Sequence, residues 1–377
     1  MNREINIGRA FDFCSPVRLH FGRGLMDRAG EICGPFKKAV LVTGRNSAEK
    51  SGLVARVCRA LAPGSVEVFG GVEPNPSIET VERGAALAAR AGADLVIGLG
   101  GGSALDAAKV IAVLAANDAR FADLFGKPAY ARKPLRMAAI PTTCGTGSEA
   151  NRYAIITDLA QRDKLNFAGS HTYPALGILD PVVLDAIPRD ILVSTALDAF
   201  THAFEGYTST KAQPFSDTLA LEAMKLLVNH LPAAAGGDDA GKAALLYAAS
   251  VAGIVIDQTG TTMLHALGYY LTLRHGVPHG EANALLLPVL FAHLEDACPD
   301  RMAEVYSLFP PDCRKVDGLR HYLKRLGVDT AKAGKLLGPD EIETLAVYAA
   351  GKKNTAATRG NVDADLLLRL LEKHVGL

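Results

Sequence analysis

Four residues raise the first chemical question. Asp198 and His202 lie four apart in LDAFTHAFEGY, and His265 and His279 fall within TTMLHALGYYLTLRHGVPHG, in a chain with only ten histidines. Residues four apart on a helix share a face, so a carboxylate and an imidazole there can grip one cation. One aspartate and three histidines suit Fe(II), Zn(II) or a related ion. His279 follows His265 by fourteen residues; as unbroken helix that would separate them by about 21 Å, too far for two ligands of one ion. The chain must therefore end one helix and turn back, which Gly276 and Pro278 allow. A lone histidine on an apolar helix is more often a core or surface residue, and only the four together bring ligation level with that reading. His275 has no evident partner and reads as a surface residue at a helix end, where a cation favours the dipole.

Two glycine loops raise the second question. In DLVIGLGGGSALDAAK (94–109) an apolar run enters three glycines and a helix starts at once. Glycines let a backbone approach a phosphate without a Cβ clash, and a helix N-terminus offers unpaired N–H groups. Gly101, Gly102 and Ser103 are thus candidates for a pyrophosphate cradle, with Asp106 one turn on; a tight strand-to-helix turn with no ligand is the plain alternative. In IPTTCGTGSEA (140–150), Thr142, Thr143 and Thr146 present hydroxyls beside Gly145 and Gly147. Alone that loop is equally a structural turn. Two such loops on neighbouring strands favour nucleotide binding. The usual dinucleotide fingerprint places its glycines after the first strand; here they come roughly 55 residues after it, so the order is not the standard one.

The elements that must carry these loops alternate in the first half. Short apolar runs at Ala39–Thr43, Ser65–Phe69, Asp94–Gly98 and Met137–Pro141 read as strands. Helices are expected over Ala48–Leu61, from an N-cap at Ser77 to Ala91, and over Ala104–Ala115. Alternation of this kind predicts a parallel sheet with helices on both faces. After about residue 185 the texture is alanine- and leucine-rich with helical spacing: 190–209, 214–230, 240–258, 259–274, 281–296, 300–308, 315–326, 339–350 and 364–375. The expected fold is therefore an α/β domain over 1–185 and an all-α domain over 186–377.

Bulk properties exclude several function classes. Forty basic residues balance forty acidic ones, so there is no broad lure for nucleic acid or anionic lipid. The uncharged run Ala243–Ile256 is shorter than the roughly 20 residues a membrane helix needs. The start, MNREINIGRAFDF, lacks the pattern of a signal peptide. Six cysteines without a C-x-x-C pair point to reduced thiols in the cytoplasm.

Taken together, GLGGGSALDAAK (98–109), IPTTCGTGSEA (140–150), ILDP (178–181), LDAFTHAFEGY (197–207) and TGTTMLHALGYYLT…GVPHG (259–280) resemble the iron-containing (group III) alcohol dehydrogenase family, over nearly the whole chain. The resemblance implies the dehydroquinate synthase-like fold of that family: an α/β dinucleotide-binding domain followed by an all-α metal-binding domain. It implies metal ligands at Asp198, His202, His265 and His279. It implies cofactor contacts from Gly101, Gly102, Ser103, Asp106, Thr142, Thr143, Thr146 and Lys164, and a homodimer. The implied reaction is reversible hydride transfer between a primary alcohol or diol and its aldehyde, with Fe(II), or Zn(II) in its place. Two departures stand out. Many relatives carry a histidine where this chain has Tyr269, which removes that imidazole from any proton relay. Many NAD-using relatives carry an aspartate after the first strand, where this chain has Gly44. Without that acid, a 2′-phosphate meets no repulsion, and Arg45, Ser47 and Lys50 are placed to receive it, which favours NADP(H) over NAD(H). Within the wider superfamily, a polyol dehydrogenase or a dehydroquinate-synthase-like lyase is the alternative; such relatives usually hold zinc by three protein ligands, against the four here. The substrate stays open: Phe167, Tyr153, Phe200 and Leu264 suit a pocket wall or a core equally.

Overall fold

The computed structural model describes residues 10–45, 51–127 and 130–376. The chain divides into two compact units, Ser15–Pro188 and the C-terminal Arg189–Leu377 joined by the segment before Ser15.

The first unit is built on six parallel strands in the order β1-β8-β5-β4-β2-β3. They are β1 (Arg18–Phe21), β2 (Lys38–Gly44), β3 (Ser65–Val72), β4 (Leu95–Gly100), β5 (Arg136–Pro141) and β8 (Leu176–Leu179). Strands β2, β4 and β5 are almost wholly buried along their length. That is why each reads as a continuous apolar run rather than as an alternation. The helices are α1 (Ala29–Cys33), α2 (Leu53–Ala60), α3 (Ile78–Ala91), α4 (Gly102–Asn117) and α5 (Phe121–Leu124). Ser77 caps α3 as expected, its Oγ accepting from the Thr80 amide. Strand β4 runs two residues further into the glycines than its apolar run alone implies, and α4 starts at Gly102 directly beyond it.

An antiparallel hairpin, β6 (Ile155–Asp158) and β7 (Asp163–Asn166), lies outside the main sheet. Sequence periodicity does not reveal it. Asp158 starts its turn by accepting from the amides of Ala160 and Gln161.

The second unit is helical: α6 (Arg189–Thr208), α7 (Pro214–Ala235), α8 (Asp239–Thr259), α9 (Met263–His275), α10 (His279–Ala297), α11 (Pro299–Ser307), α12 (Lys315–Arg325), α13 (Lys332–Leu336), α14 (Pro339–Ala350) and α15 (Ala364–Leu371). Helix α8 corrects one expectation. Its 21 residues are long and apolar enough to cross a membrane, because the helix continues through Asp257. It nevertheless packs with α6 and α7 inside this unit, and two-thirds of its most apolar stretch is buried there. The apolar composition therefore serves the core.

The pocket-or-core question is settled for three residues. Phe167 is buried in the α/β core beside Phe121. Phe200 stacks with Phe204 in an aromatic layer that also includes Phe291 and Phe309. Leu264 is fully buried.

Candidate metal centre and cofactor loops

Helix α6 has two faces with different chemistry. Phe200 and Phe204 pack into the aromatic layer, while Asp198, His202 and Glu205 recur at helical spacing as buried polar groups. Burying three ionisable groups on one stripe is costly unless they are paired or hold an ion. The partners come from the next helical pair. Helix α9 carries His265 near its start and closes at Gly276, whose φ of 66° is left-handed and whose amide donates to the Leu271 carbonyl. Pro278 then caps α10, so that His279 is its first residue. The turn that the fourteen-residue spacing requires is present.

The four residues meet at one atom. Asp198 Oδ1 lies 4.0 Å from His202 Nε2, 3.9 Å from His265 Nε2 and 3.8 Å from His279 Nε2. Two ligands bonded to one ion at about 2.0–2.2 Å can be at most about 4.4 Å apart, so each of these pairs is close enough to share a metal. Asp198, His202 and His265 are all buried, with their ligand atoms within 4.8 Å of one another. His279 lies on the outer side, its side chain 25% exposed. Burial pushes the Asp198 carboxyl up, but His202, His279 and His265, with a hydrogen bond from Asn283, hold it below the usual range. The donor set of one anionic oxygen and three imidazole nitrogens matches a divalent transition metal.

Glu205 was overlooked as a functional residue, although the HxxE spacing carries it. It is fully buried, and its Oε2 is hydrogen-bonded to His265 Nδ1. Its Oε1 accepts from the Thr262 amide at 2.8 Å and from the Thr262 hydroxyl. Burial raises its carboxyl, but the His265 charge and hydrogen bond and the Thr262 donors bring it below the ordinary value. An anionic carboxylate at Nδ1 fixes that proton and turns the Nε2 lone pair toward the cluster. Tyr269 stacks on His279, with ring centroids 5.2 Å apart and planes at 22°. His275 is corrected: it stands at the end of α9, but its Nε2 is hydrogen-bonded to Glu341 at 2.7 Å.

In the α/β unit, β4 and β5 are neighbours whose ends pair Gly100 with Pro141. The two glycine loops are thereby adjacent, and the Thr142 amide donates to the Gly100 carbonyl at 2.9 Å. A Cβ added at Gly102 would lie 2.5 Å from Thr146 Cγ2, so only glycine admits this approach. Thr143 sits beside Gly101 in the same way, with more room. The chain changes direction in the sheet between β4 and β2, and Gly44 ends β2 there, facing Gly100. Ligands of open α/β sheets bind outside the strand ends at such a switch point. This explains why glycines two strands later than usual still lie at the switch point. Arg45 is exposed, and its Nε donates to the Gly71 carbonyl at 3.2 Å. Ser47 and Lys50 lie outside the described residues.

Asp106 is placed differently from the expectation. Its Oδ1 accepts from Ser148 Oγ at 2.6 Å and its Oδ2 from the Ile155 amide at 2.8 Å. Burial raises its carboxyl, only partly offset by Lys109, Ser148, Ile155 and Lys164. A half-buried carboxylate engaged at both oxygens ties α4 to the second loop. Lys109, one turn on, donates to the Tyr153 carbonyl at 2.6 Å and to Asn151 at 3.2 Å. Ser103 Oγ accepts from the Asn75 amide at 3.1 Å, tying the cradle to the loop before α3. Lys164 stands on β7 opposite Thr157.

A parallel-sheet unit with phosphate-type loops and a helical unit with an aspartate–three-histidine cluster are the parts expected of an enzyme that uses a nucleotide and a metal. The family model "Iron-containing alcohol dehydrogenase" matches residues 16–181, and "Fe-containing alcohol dehydrogenase family, C-terminal" matches residues 192–375. The chain is 33% identical to long-chain-alcohol dehydrogenase 1 of Geobacillus thermodenitrificans, over 91% of each protein. It is 31% identical to the NADPH-dependent butanol dehydrogenase of Clostridium saccharobutylicum, over 78% of this chain and 76% of that one. The crystal structure of an iron-containing alcohol dehydrogenase from Thermotoga maritima matches with a TM-score of 0.86 at 32% identity, covering 98% of this chain and 100% of that one. The protein belongs to the iron-containing alcohol dehydrogenase family and is an oxidoreductase.

Proposed function

We propose that this enzyme interconverts a primary alcohol or diol and its aldehyde by reversible hydride transfer, with NADP(H) preferred to NAD(H). Fe(II), or Zn(II) in its place, would be held by Asp198, His202, His265 and His279. The observation that carries this reading is the single carboxylate oxygen of Asp198 set 3.8–4.0 Å from three imidazole nitrogens. The chemistry supplied by the group, when bound, is Lewis acidity toward the alcohol oxygen. Glu205 keeps the Nδ1 proton of His265 in place, so that Nε2 stays a donor. Gly101 and Gly102 let the first amides of α4 approach the pyrophosphate. The hydride chemistry itself is the cofactor's. With Tyr269 where an imidazole would stand, its ring stacks on His279 and supplies no imidazole to take the proton.

The NADP(H) preference rests on Gly44 and Arg45. No carboxylate at the end of β2 repels a 2′-phosphate, and the terminal nitrogens of Arg45, suited to bidentate phosphate contact, are not the one engaged at Gly71. One relative at 31% identity is named for its NADPH dependence. The six free thiols support a cytoplasmic setting, and β1, at one edge of the sheet, is the strand offered for a homodimer.

The test is oxidation of NADPH and, separately, NADH by the Fe(II)-loaded enzyme with butanal, repeated on His265→Ala and on Gly44→Asp. NADPH turnover that falls at least about a hundredfold in His265→Ala is expected from losing several kcal/mol of transition-state stabilisation. Gly44→Asp is expected to reverse the cofactor preference. A wild type that uses NADH better than NADPH would refute the preference and leave the dehydrogenase reading standing.

A further inference from the structure

Asp198 has one neutral neighbour among its imidazoles. Asn283 lies one turn after His279 on α10, fully buried, and its Nδ2 donates to Asp198 Oδ1 at 3.0 Å. The same nitrogen lies 3.4 Å from His265 Nε2 and 3.3 Å from His279 Nε2. We propose that Asn283 is a positioning residue of the metal centre, whose carboxamide, seated in a notch left by Gly268, holds Asp198 Oδ1 at the focus of the three histidines. This rests on the reading that the cluster binds a divalent metal.

The other end of the carboxamide makes the case. Asn283 Oδ1 is buried and has no hydrogen-bond donor among the described residues. Leaving such an oxygen unsatisfied is costly, and a leucine would fill a core position of this size without that cost. The polar choice therefore calls for a reason at the Nδ2 end. Turning the amide over would set its oxygen against a carboxylate oxygen at 3.0 Å, so the donor faces Asp198. An aspartate here would add a second negative charge, and a lysine would place a cation where the metal belongs. Asparagine brings a hydrogen and no charge.

The notch is specific. Gly268 lies one turn after His265 on α9, and a Cβ added there would lie 1.9 Å from Asn283 Oδ1. Each helix of the pair thus contributes one ligand and one half of the support: His265 with Gly268, and His279 with Asn283. A hydrogen bond to a ligating carboxylate fixes its rotamer and keeps the coordinating oxygen in line, as supports around metal sites generally do.

The experiment titrates Co(II) into the metal-stripped full-length protein and follows visible absorbance. It compares wild type with Asn283→Leu, Gly268→Ala, the double variant and His265→Ala. Asn283→Leu is expected to weaken Co(II) binding by about 10–100-fold and to shift the ligand-field bands. Gly268→Ala is expected to do the same without altering the amide's chemistry, and the double variant to bind no worse than the weaker single one. Wild-type affinity and spectrum in Asn283→Leu would overturn the proposal while leaving the metal reading intact. Should Asn283→Leu not fold, normal Co(II) binding in Gly268→Ala would overturn it equally. If wild type takes up no Co(II), or His265→Ala takes it up as well as wild type, the metal reading falls and this proposal with it.

Discussion

The two units make their chemistry from opposite materials. The helical unit uses ionisable side chains taken out of water: Asp198, His202, His265 and Glu205 are all buried. The α/β unit uses backbone and the absence of side chains: Gly102 packed under Thr146, and Gly44 facing Gly100 across the switch point. Each also holds a carboxyl whose surroundings shift it, and the outcomes differ. Glu205, against His265 and Thr262, is held below its ordinary range; Asp106, against Ser148, Ile155 and Lys109, is pushed above its own. Burial alone thus does not decide whether a carboxyl stays ionised. What decides is whether the neighbours outweigh it: His265 and the Thr262 donors do so at Glu205, whereas Lys109, Ser148 and Ile155 offset burial only in part at Asp106.

The comparison is tested hardest in the helical unit. Replacing Glu205 by Gln keeps the shape and removes the charge that fixes the His265 proton. Metal affinity and turnover are expected to fall by about 10–100-fold, while NADPH affinity, measured by fluorescence, stays unchanged. An equal loss of NADPH affinity would show that the two materials are not separable.

The converse change is Gly102→Ala. The added methyl would lie 2.5 Å from Thr146 Cγ2, and overpacking of this kind costs about 1–3 kcal/mol. Expressed in cofactor binding, that is a rise of about 5- to 150-fold in the NADPH KM, with Co(II) affinity of the stripped protein unaltered. A variant with normal NADPH binding would mean that the loop yields, and that shape matters less here than the packing implies.

What was legible in the sequence follows the same division. The clustering of Asp198 with the histidines was legible because an i,i+4 pair and a Gly–Pro turn are local patterns, and the strands because burial on both faces leaves apolar runs. The glycine turn was legible as a turn, but its place beside Gly44 depends on strand order, which no local window contains. The hydrogen bonds of Asp106 were not legible, because its partners Ser148 and Ile155 are more than 40 residues away. Glu341, the partner of His275, is 66 residues distant. The β6–β7 hairpin was missed because DKLN has no apolar alternation and owes its place to contacts such as the Thr157 amide on the Pro76 carbonyl. Asn283 gave no signal, since nothing in HGEANALLL distinguishes a support from a polar residue on a helix surface.

The smallest expected effect is also the sharpest, because it is a difference of sign. For Glu205 the folded-state pKa lies below the unfolded value of about 4.3. The unfolded chain therefore binds the proton more readily, so the stability that Glu205 contributes is present above that value and is lost as pH falls through the folded one. For Asp106 the folded pKa lies above the unfolded value of about 3.9. Here the folded state holds the proton more tightly, so its contribution is present at low pH and is lost as pH rises through the raised value. The measurement is the thermal midpoint of the metal-stripped protein across this acidic range, taken for wild type, Glu205→Gln and Asp106→Asn. The wild-type advantage over Glu205→Gln is expected to grow with rising pH, and that over Asp106→Asn to shrink. Slopes of the same sign would mean that burial, and not the neighbouring imidazole, governs both carboxyls.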